Sequence, residues 1–93
     1  MNLSRLDLTS LRLALACART GSLTAAAHEL HLAPAAASRR VRELEATLGS
    51  ELFERHARGL RVTSAGEVMV RHGLLLDDHL LKLLLIQKID DFP

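Results

Sequence analysis

The residues best suited to chemistry in this sequence are three arginines beside a serine, at Ser38, Arg39, Arg40 and Arg42. An arginine presents a fork of N–H donors that fits guanine O6 and N7, or a phosphate group. Residues 21–42 have the pattern of two short helices joined by a tight turn, with these arginines in the second helix. Such an arrangement is typical of a helix-turn-helix whose second helix enters the major groove of duplex DNA.

A second group of arginines brackets a turn at Gly59: Arg55, Arg58 and Arg61. An arginine on such a turn is suited to a narrow, A·T-rich minor groove, where the negative potential is enhanced. The alternative is a charged loop that keeps an edge strand from pairing with other chains. The arginines of the helix have an alternative too, a solvated face on which they pair with Glu43 and Glu45.

Composition narrows the classes of function. Hydrophobic residues make up 48% and charged residues 25%, which is typical of one globular domain. No apolar run reaches the roughly 18 residues of a membrane span, and the N-terminus has no secretion signal, so a cytoplasmic, nucleoid-associated location is expected. Cys17 is the only cysteine, which excludes an internal disulfide. No spacing fits a metal site or a catalytic constellation, so we predict neither an enzyme nor a cofactor.

Positive charge is concentrated in the first two thirds of the chain. Residues 1–64 hold nine arginines against six acidic residues, a net charge of +3, whereas residues 65–93 have a net charge of −2. The formal net charge of +1 therefore conceals a local basic surface. Phe53 and Phe92 are the only aromatic residues, so the base stacking typical of RNA and single-strand binders is not expected. Duplex DNA is the predicted partner.

Apolar spacing and capping residues predict the helices that position these arginines. A first helix has one apolar face, made by Leu8, Leu11, Leu15 and Ala18. Gly21 ends this helix, and Ser22 caps a second one. Residues 31–33 form the turn, and Pro34 opens the third helix. That helix has an inner stripe of Ala37, Val41, Leu44 and Leu48, and an outer face of Ala35, Ser38, Arg39 and Arg42.

The remaining elements are a hairpin and a final helix. After Gly49 the pattern predicts two short strands, over 51–55 and 60–62. Thr63 then caps a long helix that runs from about Ala65 into the late 80s.

These residues, taken in order, resemble the N-terminal DNA-binding domain of LysR-type transcriptional regulators over about residues 6–72. The motifs that carry the resemblance are Gly21-Ser22-Leu23-Thr24-x-Ala26-Ala27, Ser38-Arg39-x-Val41-x-x-Leu44-Glu45-x-x-Leu48-Gly49, Leu52-Phe53-Glu54-Arg55 and Leu60-x-Val62-Thr63-x-Ala65-Gly66. The resemblance implies a mainly α fold with a winged helix-turn-helix domain of three helices and a two-stranded wing. This domain spans 6–63, with the helix-turn-helix at 23–42 and the wing at 51–62, and a long C-terminal linker helix follows at 64–90.

The resemblance also implies sequence-specific binding of double-stranded DNA by a transcriptional regulator. The recognition helix 34–48 is expected in the major groove and the wing, 55–61, in the minor groove. The expected DNA-binding residues are Ser22, Thr24, Pro34, Ala35, Ala36, Ser38, Arg39, Arg42, Arg55, Arg58 and Arg61. The methyl groups of the two alanines suit thymine methyls, although helix propensity alone explains alanines there equally well.

Four positions depart from the family pattern. Ala33 and Pro34 stand where the family usually has Ser-Gln, which removes a helix cap and a polar side chain from the start of the recognition helix. Ala37 replaces a large apolar residue, and Ala14 replaces an aromatic one. We therefore expect a lighter core and fewer hydrogen-bonding groups at the DNA-facing surface.

The leucine-rich tail is apolar on more than one side, which predicts a helix buried on more than one side. The expected dimerisation residues are Met69, Leu76, Leu80, Leu83 and Ile86. The family's linker helices pair between subunits, and a homodimer would present two recognition helices to an interrupted inverted repeat. One alternative is a tail folded wholly onto its own domain.

A second alternative is a winged-helix interaction module that dimerises with other regulators through the tail, without strong DNA reading of its own. The family also carries a large effector-binding domain, for which 93 residues leave no room. Ligand sensing is therefore not expected of this chain.

Overall fold

The computed structural model describes residues 7–75, which form four helices and one hairpin. The elements are α1 (Leu8–Thr20), α2 (Leu23–Glu29), α3 (Pro34–Leu48), β1 (Phe53–His56), β2 (Gly59–Val62) and α4 (Ser64–Leu75). The predicted fold class, a mainly α winged helix-turn-helix, is confirmed. The predicted continuation of the last helix lies outside the described residues, as do Leu76, Leu80, Leu83 and Ile86.

Capping groups set the bounds of α1 and α2. The Asp7 carboxylate accepts the Ser10 N–H at 2.7 Å and so begins α1. Gly21 ends α1 in the left-handed conformation, at φ 68°. The Ser22 hydroxyl accepts the Ala25 N–H at 3.1 Å and begins α2, as predicted.

The third helix, α3, begins without a side-chain cap, because Ala33 occupies the capping position. Pro34 follows at the first helical position, where its missing N–H removes no intrahelical bond. Gly49 ends the helix at φ 73°. Both ends agree with the sequence prediction.

The core is made largely of small side chains, which lets α1, α2 and α3 approach one another closely. Its buried residues are Leu13, Ala14, Ala16, Cys17, Ala26, Ala27, Ala37, Val41, Leu44, Leu52 and Phe53. Ala14 and Ala37, the two positions where the family usually has larger residues, are both fully buried.

The apolar face predicted for α1 is not the most deeply buried one. Leu8, Leu11, Leu15 and Ala18 are only partly buried, whereas Ser10, Leu13, Ala14 and Cys17 form the buried stripe. The helix contacts α2, α3 and α4. Leu15 and Ala18 line an open groove with Val70 of α4, which explains their partial exposure.

The hairpin begins two residues later than predicted. Glu51 and Leu52 use their polar groups elsewhere: the Glu51 carbonyl accepts the Thr63 hydroxyl at 2.6 Å, and the Leu52 carbonyl accepts the Thr63 N–H at 3.0 Å. The Thr63 hydroxyl also accepts the Gly66 N–H at 3.1 Å and so caps α4, as predicted. One threonine therefore connects the start of the wing to the start of the last helix.

Candidate nucleic-acid interface

The outer face of α3 is a basic surface directed away from the core. Arg39 and Arg42 are exposed, and Ser38 lies half-buried at the edge of the same face. Within residues 7–75, no carboxylate lies at salt-bridge distance from either arginine. The Glu45 carboxylate, the alternative partner considered from the sequence, binds backbone N–H groups instead. Both guanidinium groups are thus available to a ligand.

Contacts on the two flanks of α3 fix how this face is turned. On one flank, Arg40 Nη1 lies 3.6 Å from Asp7 Oδ1 at the start of α1. On the other, Glu45 Oε2 accepts the Leu52 N–H at 2.7 Å, just before the wing. The helix is therefore held from both sides, and rotation about its axis would break one contact or the other.

The first turn of α3 offers few polar groups. Ala33, Pro34 and Ala35 are exposed and Ala36 is half-buried, so no side chain there carries a hydrogen-bonding group. Donors in this turn are backbone N–H groups, which have no intrahelical partner at a helix start. This agrees with the expectation that the start of α3 has few hydrogen-bonding side chains.

The three wing arginines do not lie on one surface. The hairpin pairs Arg55 with Leu60 and Glu54 with Arg61, and residues paired across an antiparallel ladder share a face. Because β1 alternates, Arg55 shares a face with the buried Phe53, whereas Arg61 lies on the opposite face, across from the acidic Glu54. Arg58 is exposed in the connecting turn.

The Arg55 side chain is directed toward α3. Its Nη2 donates to the Ser38 hydroxyl oxygen at 3.0 Å, over a separation of 17 residues. Our sequence interpretation missed this contact and placed Arg55 with the other wing arginines. The signal that would have found it is the two-residue alternation of a strand, counted from the apolar Phe53.

The wing is also bonded to the turn between α1 and α2. The Leu60 N–H donates to the Gly21 carbonyl at 2.9 Å. Ser22 follows and is partly buried, while Thr24 is exposed in the first turn of α2. A phosphate contact by Ser22 or Thr24 remains a prediction.

Cys17 has the environment of a packing residue. Its side chain is 0% exposed, and burial raises the pKa of its thiol to about 11, although the Arg55 charge acts in the opposite direction. A thiol with such a pKa is almost wholly protonated at neutral pH and is a poor nucleophile. In residues 7–75 no three His, Cys, Asp or Glu side chains come together as a metal site.

Among residues 64–72 of α4, one apolar side chain is exposed. Met69 is partly buried against the core of its own domain, whereas the neighbouring Val68 is 49% exposed. Our sequence interpretation named Met69 as a dimerisation residue, because it begins the heptad row of Met69, Leu76 and Leu83, and this stays a prediction. No helix within 7–75 has the length and apolar character that a membrane crossing needs.

Comparisons with known proteins agree with this architecture. Residues 8–67 match the family described as bacterial regulatory helix-turn-helix protein, lysR family. The chain is 43% identical over 67 residues to the HTH-type transcriptional regulator y4mQ of Sinorhizobium fredii, covering 72% of this chain and 22% of that protein. It is 47% identical over 64 residues to the HTH-type transcriptional regulator PunR of Escherichia coli, covering 69% and 21%. The chain thus spans about a fifth of the length of the curated relatives it matches.

Solved structures show the same fold. The crystal structure of the CbnR DNA-binding domain in complex with DNA matches this chain with a TM-score of 0.74 at 29% identity. The match covers 91% of this chain and 93% of that one.

Proposed function

Because the chain belongs to the LysR family of bacterial helix-turn-helix regulators, we propose that it binds double-stranded DNA sequence-specifically and regulates transcription. The observation that carries the proposal is the outer face of α3, where Arg39 and Arg42 are exposed and have no carboxylate partner within residues 7–75. The likeness to a DNA-binding domain solved with DNA supports it.

In this proposal α3 lies in the major groove. Arg39 and Arg42 bind guanine edges or phosphates, and the methyl groups of Ala35 and Ala36 contact thymine methyls. Ser22 and Thr24 bind a phosphate near the start of α2, and Pro34 packs against the backbone. With so few polar groups in its first turn, α3 depends on the two arginines for base discrimination.

The wing then follows the DNA backbone into the minor groove. Arg58 is the arginine best placed for this groove, because it is exposed in the hairpin turn. Arg61 makes a weaker contribution, since it lies across the ladder from Glu54.

We further propose that the chain acts as a homodimer through its C-terminal helix and reads an interrupted inverted repeat. The exposed Val68 of α4 and the leucine-rich sequence that follows it support this, because a helix with apolar residues on several sides needs a partner. A symmetric dimer places two recognition helices on two half-sites. Sedimentation equilibrium at micromolar concentrations tests this arrangement, and a monomer would contradict it.

The test of DNA binding starts with duplexes selected from a random pool by the whole chain. Fluorescence anisotropy then compares a selected duplex with a scrambled one at several salt concentrations. We expect the selected duplex to bind about a thousand-fold more tightly, with log K falling linearly with log salt. Arg39→Ala and Arg58→Ala each weaken binding by about 10-fold.

Arg19→Ala is the matched control, since this exposed arginine pairs with Glu29 and lines the groove on the α1–α4 side. It should bind as the unmodified chain does. Equal affinity for selected and scrambled duplexes, or unchanged binding by both the Arg39 and Arg58 variants, would contradict the proposal. Absence of duplex binding together with a stable complex with another regulator would favour the interaction module.

A further inference from the structure

The contact between Ser38 and Arg55 joins the recognition helix to the wing through two polar side chains. Ser38 lies in the second turn of α3, and Arg55 projects from β1 on the face that the strand shares with Phe53. The 3.0 Å bond between Arg55 Nη2 and Ser38 Oγ therefore joins the two elements proposed to hold DNA.

This contact leaves hydrogen-bond donors of both side chains without an acceptor among the described residues. A serine hydroxyl has one donor and two acceptor sites, and an arginine has five donors and no acceptor. Arg55 occupies an acceptor site of Ser38, which leaves the hydroxyl hydrogen to be donated elsewhere. Among residues 7–75, no hydrogen bond takes that hydrogen.

The charge of Arg55 is likewise uncompensated within the described residues. No carboxylate of residues 7–75 lies at salt-bridge distance from it. The buried Cys17 thiol that feels this charge stays neutral, because burial keeps its pKa high. The Ser38–Arg55 pair therefore presents a hydroxyl donor and guanidinium donors beside each other, with a net positive charge.

An acceptor-only anion fits these donors best. A phosphodiester group has two charged oxygens, and arginine binds such groups through charge-assisted, often bidentate, hydrogen bonds. Guanine also offers two acceptors in the major groove, O6 and N7, but they carry no net charge to match the guanidinium group. In the proposed binding mode a DNA backbone passes the side of α3 on which this pair lies.

We propose that Ser38 and Arg55 bind one and the same DNA backbone phosphate, with Arg55 also orienting the Ser38 hydroxyl toward it. This inference rests on the proposed DNA binding and assigns Arg55 to the backbone rather than to the minor groove. The pair links the wing to the recognition helix through a shared ligand, so that both elements are positioned by a single phosphate.

A methylphosphonate scan tests the assignment. In the selected duplex, each phosphate along both backbones is replaced in turn by a neutral methylphosphonate, and the affinity of the whole chain is measured. We expect one position per half-site where the unmodified chain loses about 10-fold in affinity. At that same position, Ser38→Ala and Arg55→Ala lose much less, because each lacks part of the phosphate site.

A double-mutant cycle gives an independent measurement. The combined Ser38→Ala/Arg55→Ala variant should bind only about 2-fold more weakly than Arg55→Ala, far from the product of the two single effects. Arg55→Ala should also reduce the slope of log K against log salt by about one, the contribution of one phosphate contact. Arg61→Ala is the control, because Arg61 lies on the opposite face of the wing and should combine with Ser38→Ala multiplicatively.

The Arg39→Ala variant separates the two levels of the proposal. Suppose that Arg39→Ala weakens binding, but the Ser38 and Arg55 substitutions act independently or are sensitive to different phosphates. The proposal of a shared phosphate is then wrong, whereas the proposed DNA binding stands. If the unmodified chain does not bind any duplex, both fail. Circular dichroism of each variant verifies the fold, and Ser38→Thr, which keeps the hydroxyl, should restore the sensitivity to the methylphosphonate.

Discussion

A Cβ atom placed on Gly59 would lie 2.3 Å from the carbonyl oxygen of Gly21. This close approach brings the first residue of β2 onto the turn between α1 and α2, where the Leu60 N–H donates to the same carbonyl at 2.9 Å. Gly59 also has a φ of +130°, which L side chains rarely adopt. The position of the wing on the body of the domain thus depends on a glycine at 59.

Gly59→Ala should therefore destabilise the domain and displace the wing. We expect a loss of about 2 kcal/mol or more in the free energy of unfolding, since backbone strain and the collision add, and a melting temperature lower by about 8 °C. Gly49→Ala is the control: Gly49 also has a positive φ, 73°, in the left-handed region, but no atom lies within 4 Å of the added Cβ. Equal destabilisation by the two substitutions, measured by thermal unfolding, would contradict this special requirement at position 59.

Glu45 should matter for stability although it lies beside the arginines of α3. Its carboxylate accepts the N–H of Leu52, a residue only 2% exposed. Glu45→Ala leaves that donor without its partner and should cost about 1–3 kcal/mol in the free energy of unfolding by urea. Glu45→Gln keeps an acceptor and should cost less. Glu43→Ala, at an exposed position two residues away, should change the stability little.

The missing cap of α3 can be restored. Ala33 has the extended backbone that a capping residue requires, at φ −65° and ψ 142°, but no side-chain oxygen. Ala33→Ser should raise the free energy of unfolding by about 1 kcal/mol. Ser22→Ala should lower it by a similar amount, because Ser22 caps α2. An unchanged melting temperature for Ala33→Ser would mean that the first turn of α3 is already satisfied in another way.

The buried thiol makes stability depend on pH in the alkaline range. Burial raises the Cys17 pKa from 9.0 to about 11, so the folded state holds this proton more tightly than the unfolded state does. The stabilisation is fully present below pH 9.0 and is lost as the pH rises toward 11, by about 2–3 kcal/mol in total. Urea unfolding from pH 7 to 11 should show this decline, and Cys17→Ala should lack it. Equal declines in both proteins would assign the effect to other groups.

The sequence predicted the features that depend on neighbouring residues. The helices begin or end at Gly21, Ser22 and Gly49 as expected, because a helix cap depends only on residues close to it in the sequence. The inner stripe of α3 was also predicted correctly, since the helical period decides which side chains share a face.

Features that depend on distant residues were not predicted. The start of β1 shifted because Thr63 and Glu45 bind the backbone of residues 51–52. Arg55 was assigned to the wing surface, although its bond to Ser38 spans 17 residues. The most deeply buried side of α1 was not predicted for a similar reason. Three other helices contact α1, and the buried residues are Leu13 and small side chains such as Ala14 and Cys17 rather than the row of Leu8, Leu11 and Leu15.

The anchoring of α3 at its two flanks has a consequence for how such domains diversify. Arg40 and Glu45 hold the helix, and neither is on its exposed face. Ala35, Arg39 and Arg42 are exposed and take no part in this anchoring. Substitution at these three positions should therefore leave folding intact. In the proposed binding mode, mutation there changes which operator is read while the stability of the scaffold stays the same.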